Sequence, residues 1–278
     1  MNRRALYLAC GIPVAVLCFL FLTLLFTPSH AVQGVLVRIA ENAGYTLDCT
    51  GLGKSFPIGL RADMLELSSA KGSLVKLSDA RIRLKLLPLL TGKPRISFRG
   101  GIGGGELEGE LDLGKQQGWS VQCSGVRLEE IPFFKTVAEA NVTGELRVNG
   151  KYISKKGIGE GDLQIEVRSA EIAGVKIGAM ALPDAAYKEV RGALSIGKGQ
   201  AVLKSFTLNG DGIYLRLKGN ATLNKPLGAS PLNLTMEMMP KPAFLERQKY
   251  VFLLLTKYQS SPGAFNIPIR GTLAHPSI

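Results

Sequence analysis

The sequence predicts a mainly β protein: an N-terminal transmembrane helix followed by a large curved antiparallel meander sheet with a few short helices. Three features carry that expectation. Ala5 to Thr27 is uncharged and strongly apolar, apolar and polar residues alternate through many short runs beyond Tyr45, and glycine is plentiful, at 33 of 278 residues. A period of two puts one face of a strand in a core and the other in water, and glycines between such runs supply turns.

The apolar stretch comes first. A helix needs roughly 20 apolar residues to cross a bilayer core, and residues 5–27 meet that length. Arg3, Arg4 and the free amino terminus precede it, so the positive-inside bias keeps residues 1–4 in the cytoplasm and sends the rest across. Ser29-His30-Ala31 has the small residues of a cleavage site. A signal-peptide apolar region, however, runs only ~7–15 residues, so the span reads as a retained anchor.

Residues 28–44 form a juxtamembrane amphipathic helix, with Val32, Val35, Leu36, Ile39 and Ala43 on one face and Gly44 as the stop. Its apolar face suits either lipid or one end of the following sheet. Residues 45–278 form a single β-rich domain. In Arg81-Ile82-Arg83-Leu84-Lys85-Leu86 every second side chain is apolar and the others are basic; Arg95-Ile96-Ser97-Phe98-Arg99 repeats the pattern. Glu106-Leu107-Glu108-Gly109-Glu110-Leu111 keeps the alternation but makes the polar face acidic. If these strands are neighbours, opposite charges meet across the ladder at about 0.2–1 kcal/mol per pair.

Gly100 to Gly105 joins two strands and reads as a turn, not a phosphate cradle. Gly53-Lys54-Ser55 lacks the glycine and the helix that a nucleotide-binding loop needs. Glu130 to Ala140 is expected to be a short helix with Ile131, Phe134, Val137 and Ala138 facing inward, a plug over one end of the sheet. A second strand series runs from Val142 to Met238, with Asn149-Gly150 and Asn209-Gly210 as hairpin turns. Ala243 to Tyr258 is expected to be one helix, its Phe244, Leu245, Val251, Phe252, Leu255 and Tyr258 packed on the sheet. A last strand spans Phe265 to Leu273, where Pro268 suits an edge.

Composition narrows the chemistry. The formal charge of +12 is scattered along strands among acids, with no nucleic-acid motif, so an anionic membrane surface is the expected partner for it. There are two histidines, His30 at the bilayer boundary and His275 near the end, and no serine sits in a nucleophile elbow. Neither a catalytic base nor a metal or cofactor site is expected. Cys10 and Cys18 lie in the span. Cys49 and Cys123 are either a disulfide in an oxidising compartment or two buried free thiols.

The order of features resembles a known family. An anchor, a short helix ending at Gly44-Tyr45, Ser55-Phe56-Pro57-Ile58-Gly59-Leu60 and a unit of the form LxxIPxx(F/L)…GELxxxG over Leu128 to Gly150 together resemble the type II secretion system protein N (GspN) family along nearly the whole chain. Ile269-Arg270-Gly271-Thr272-Leu273-Ala274-His275-Pro276 is also similar to the ends of AsmA-like domains, curved sheets anchored in the inner membrane. The first resemblance implies a non-enzymatic accessory component of type II protein secretion, held in the bacterial inner membrane by a single pass. The bulk of its chain would lie in the periplasm, acting with the inner-membrane platform of the secretion complex. The second implies a phospholipid-handling protein with an apolar trough, whose lining would come from Ile82, Leu84, Leu86, Ile96, Phe98, Leu107 and Leu111. The same residues would serve equally as plain core.

Overall fold

The computed structural model describes residues 29–278 apart from positions 57, 115, 138, 156–157, 178–179, 182–183 and 225–226. The expected anchor at 5–27, with Cys10 and Cys18, lies outside the described residues. Among the described residues no helix is long and apolar enough to cross a membrane.

Alternation dominates from Thr46 onward and the strands follow it. They are β1 (Thr46–Thr50), β2 (Gly53–Ser55), β3 (Gly59–Ser69), β4 (Gly72–Lys85), β5 (Arg95–Ile102), β6 (Gly105–Leu113), β7 (Gln117–Arg127), β8 (Asn141–Lys155) and β9 (Ile158–Ala173). After a short hairpin, β10 (Lys176–Ile177) and β11 (Met180–Ala181), come β12 (Ala185–Gly197), β13 (Gln200–Gly210), β14 (Ile213–Thr222), β15 (Leu232–Pro240), β16 (Gln259–Ser261), β17 (Ala264–Gly271) and β18 (Pro276–Ser277). All but the β10–β11 pair join one 16-stranded sheet, in which β3 to β9 and then β12 to β15 neighbour one another in chain order. Every pairing is antiparallel, so the fold is a mainly β meander, as the alternation predicts.

Turn chemistry explains the connections. Gly103 and Gly104 both take positive φ, 51° and 72°, which is what a two-residue hairpin turn between β5 and β6 requires. The expected turn at Asn149-Gly150 is a misreading, because that pair lies inside β8. An added Cβ on Gly150 would meet Leu163 Cδ1 at 2.7 Å and Trp119 Cζ3 at 3.2 Å, so the glycine makes room for its neighbours rather than for a bend. Asn209-Gly210 ends β13, and Asp211-Gly212 makes the reversal.

The helices are shorter than expected. The first, α1 (Ser29–Asn42), rests against β1, where Gln33 Nε2 donates to the Cys49 carbonyl at 3.3 Å. Val35 and Ile39 stay exposed while Leu36, Val37 and Ala40 are half-buried, so the packed side is rotated from the expected one. Lys85 ends β4 and Leu86 opens α2 (Leu86–Leu90). The expected helix at 130–140 is a 3-10 turn, Leu128–Glu130, followed by α3 (Pro132–Thr136). Ile131 and Phe134 pack on the core as expected, and Thr136 Oγ1 donates to the Ser73 carbonyl at 2.7 Å, tying α3 to the start of β4.

The expected helix at 243–258 is broken. It comprises α4 (Pro242–Arg247), α5 (Lys249–Leu254) and a 3-10 turn, Thr256–Tyr258, interrupted at Gln248, whose φ of −116° and ψ of 29° leave the helical region. In a straight helix Phe244 and Phe252, eight positions apart, would diverge by about 80°. The break lets both rings meet the sheet. They lie edge-on at 6.2 Å, and Phe252 lies 5.3 Å from Phe265 of β17. Pro268 is paired with Thr235 of β15 on one side and lies beyond the pairing with β16 on the other, so β17 is an edge there, where a proline is tolerated.

Tyr187 on β12 is 4 % exposed, and burial pushes its phenol up to about 12. The folded state therefore favours the neutral form. This stability is fully present below pH 10, where the unfolded phenol titrates, and is lost as pH rises towards 12. The expected loss is at most about 3 kcal/mol. Denaturant titrations at pH 9 and pH 11 should show a steeper fall for the native chain than for Tyr187→Phe.

Candidate functional site: an apolar strip left partly open

The register carries one apolar line across the sheet. Leu60 on β3 faces Ile82, which faces Phe98, Gly109, Val121, Gly150 and Leu163 in turn through β9. From there the line passes through Leu194, Leu203, Gly219 and Leu234 to Ile269 on β17. At about 4.8 Å per strand step, the path along the sheet is about 50 Å. It holds no polar side chain.

A second line, two residues nearer one end of the strands, runs from Gly100 and Leu107 through Cys123, Val148, Ile165, Gly192, Phe206, Leu217 and Met236 to Ile267. A third lies nearer still to that end, through Val126, Leu146, Val167, Val190, Leu208, Leu215, Met238 and Phe265. These lines share one face of the sheet but differ in cover. In the third line all but Leu146 are buried, because Phe244 of α4, Phe252 of α5 and Leu255 just after it, with Ile131 and Phe134 at α3, complete the same cluster. In the first line only Gly150 and Ile269 are buried, and Ile82 is 37 % exposed. The sheet's own helices therefore close the apolar face at one end of the strands and leave a strip along the other.

Glycines inside the strands serve this face. Phe98 lies over Gly109, Tyr152 over Gly161 and Phe206 over Gly192, so large rings spread where a neighbour has no side chain. An added Cβ at Gly192 would stand 2.6 Å from Phe206 Cδ2. Strand propensity alone favours valine over glycine. Gly192→Val is nevertheless expected to destabilise by about 1–3 kcal/mol, because the Phe206 ring must move; chemical denaturation measures it.

Of the residues expected to line a trough, Ile82, Leu84, Ile96, Phe98, Leu107 and Leu111 all fall on this face of β4, β5 and β6, with Ile82 opposite Phe98 and Leu84 opposite Ile96 opposite Leu111. Leu86 belongs to α2 and is not on a strand of the face, because the alternation ends at Lys85. Sequence reading missed the longer half of the strip, from Val121 to Ile269. Its signal was there in the alternating runs, but the register that joins them is not local.

The opposite face is charged. Arg95 Nε donates to Asp112 Oδ1 at 2.5 Å and its Nη1 to Glu110 Oε2 at 3.1 Å, Lys85 pairs with Glu110, and Arg99 Nη2 donates to Glu108 Oε1 at 3.0 Å. The expected cross-strand pairing of basic β4 and β5 with acidic β6 is present. These groups are one-third or more exposed, which limits each pair to about 0–1 kcal/mol.

Cys49 and Cys123 are free thiols. They sit on β1 and β7, five strand steps apart in the sheet, too far for a disulfide. Burial pushes both thiols up, and Asp48 adds to the effect at Cys49, so neither is poised as a thiolate. Among the described residues no group of three or more His, Cys, Asp and Glu side chains is placed to hold a metal ion. Compared with known family models, curated proteins and solved structures, the chain finds no match.

Proposed function

We propose that the protein is a non-enzymatic accessory component of type II protein secretion, tethered in the bacterial inner membrane with its β domain in the periplasm, where it works with the inner-membrane platform. The observation that carries this reading is the partly uncovered apolar line from Leu60 to Ile269, running across the sheet opposite a charged face. Large contiguous apolar surface that a fold's own elements leave open marks an interaction site more often than a free exterior. The sequence resemblance supplies the setting. Deletion of the gene is expected to block export of folded periplasmic enzymes and to leave phospholipid composition unchanged; unimpaired export would contradict the role.

A second reading is favoured by the same strip. It carries neither charge nor hydroxyl, and small residues such as Gly109 and Gly150 alternate with large ones, a lining suited to acyl chains of a phospholipid. Under this reading, gently extracted protein carries stoichiometric phospholipid in mass spectrometry. Leu163→Asp with Leu203→Asp, at half-buried positions of the line, abolishes that carriage.

A further inference from the structure

The charged face holds an arrangement that ion pairing does not explain. Arg61 on β3 lies directly opposite Arg81 on β4, and Arg81 lies opposite Arg99 on β5. Like charges facing each other across a ladder repel. The next row adds Arg83, on the same side of β4. Relief is partial, since Arg99 is paired with Glu108 and Arg61 has Asp63 only at 3.9 Å. Among the described residues Arg81 and Arg83 have no carboxylate partner. The basic residues further along the same strands differ, because Lys85 and Arg95 are matched by Glu110 and Asp112.

Arg81, Arg83 and Arg99, but not Arg61, border a concavity of about 510 Å³ that extends from β4 across to β8. Its basic side is Arg81, Arg83 and Arg99. Its far side is neutral and polar, with Ser120, Gln122 and Asn149. Glu108 and Glu110 also line it, already bonded to Arg99, Lys85 and Arg95, so they repel an anion from the middle while accepting hydroxyl donors. Guanidinium forks match the oxygens of a phosphate, and amides and hydroxyls match those of a polyol.

We infer that this concavity binds a phosphate ester of a polyol, its phosphate at Arg81 and Arg83 and its hydroxyls towards Gln122 and Asn149. Its charged and polar lining stands on the face opposite the apolar strip, although Phe98, Gly109 and Val121 of that strip also border it; the inference does not rest on the role proposed above. Two sources share this chemistry, a soluble sugar phosphate and the headgroup of an anionic phospholipid.

The test is calorimetric titration of the full chain in detergent with glucose 1-phosphate and, separately, with glycerophosphoglycerol, the headgroup of phosphatidylglycerol. Tighter binding of the first assigns a soluble sugar phosphate and tighter binding of the second a lipid headgroup; both support the site. Arg81→Gln with Arg83→Gln is expected to weaken the preferred probe at least about tenfold. Lys71→Gln with Lys198→Gln, which removes the same charge from two turns, should change it less than about twofold. Binding of neither probe, or equal loss in both double variants, overturns the inference. Arg81→Gln alone should hold or raise Tm, since it relieves a repulsion. A clear fall in Tm would make Arg81 a structural residue and also count against the site.

Discussion

Phe252→Ala is expected to cost about 3–5 kcal/mol, among the largest effects of any single truncation in this domain. Phe252 is buried beneath the C-terminal helices, with Phe244 on one side and Phe265 of β17 on the other, and it joins a cluster that includes Met236, Met238 and Ile267. Removing the ring opens a cavity that backbone on two sides, the sheet and the broken helix, has little freedom to fill. Because α4 and α5 are only six residues each, they have little helical stability of their own. Their order depends on this anchorage. The same substitution should therefore also raise amide exchange across 242–258 before the rest of the sheet opens, and hydrogen-exchange mass spectrometry checks both the loss and its location.

The second large effect is a contrast between two lysines. Met238→Lys places an ammonium where the native side chain has no exposed surface and no acidic partner within the apolar cluster. An unpaired buried charge costs several kcal/mol, so the variant should be largely unfolded or recovered only at low yield. Leu194→Lys puts the same charge on the same face, but in the half-buried line between Leu163 and Leu203. There the side chain can carry its charge outward, and a loss of no more than about 1 kcal/mol is expected. Under either functional reading, however, the variant should lose its activity, export in one case and phospholipid carriage in the other. Equal stability losses at the two positions would remove the distinction between covered and open lines.

Much of this architecture was legible in the sequence. Alternation from Arg81 to Leu111 gave the face, the neighbours and the pairing of opposite charges, because a strand's period is local and charge matching between consecutive strands needs only a short turn. Glycine was read less well. Gly103-Gly104 is a turn, yet Gly150 sits mid-strand because Trp119 and Leu163 occupy its space, and nothing within a few residues of Asn149 distinguishes the two uses. Residues 243–258 carry a helical apolar spacing, but the break at Gln248, whose Nε2 donates to the Asp184 carbonyl at 2.7 Å, goes with tertiary contacts that local spacing does not encode. The side of α1 that packs likewise depends on β1. Most of the strip and the arginine row were invisible for a common reason. Both are created by register across strands, and Arg61, Arg81 and Arg99 become neighbours only once three strands are laid side by side.

One apolar face, closed by the protein's own helices at one end of the strands and partly open along the other, underlies both functional readings. Cysteine accessibility tests it most directly. In a chain whose native cysteines are replaced by serine or alanine, stripped of lipid by detergent exchange, single cysteines are placed at Leu163, Leu194 and Leu203 and, separately, at Leu208 and Leu215. The first three should react with a polar maleimide at least about tenfold faster than the last two, which stay protected until the chain unfolds. Protection at all five positions, or equal labelling at all five, would contradict it.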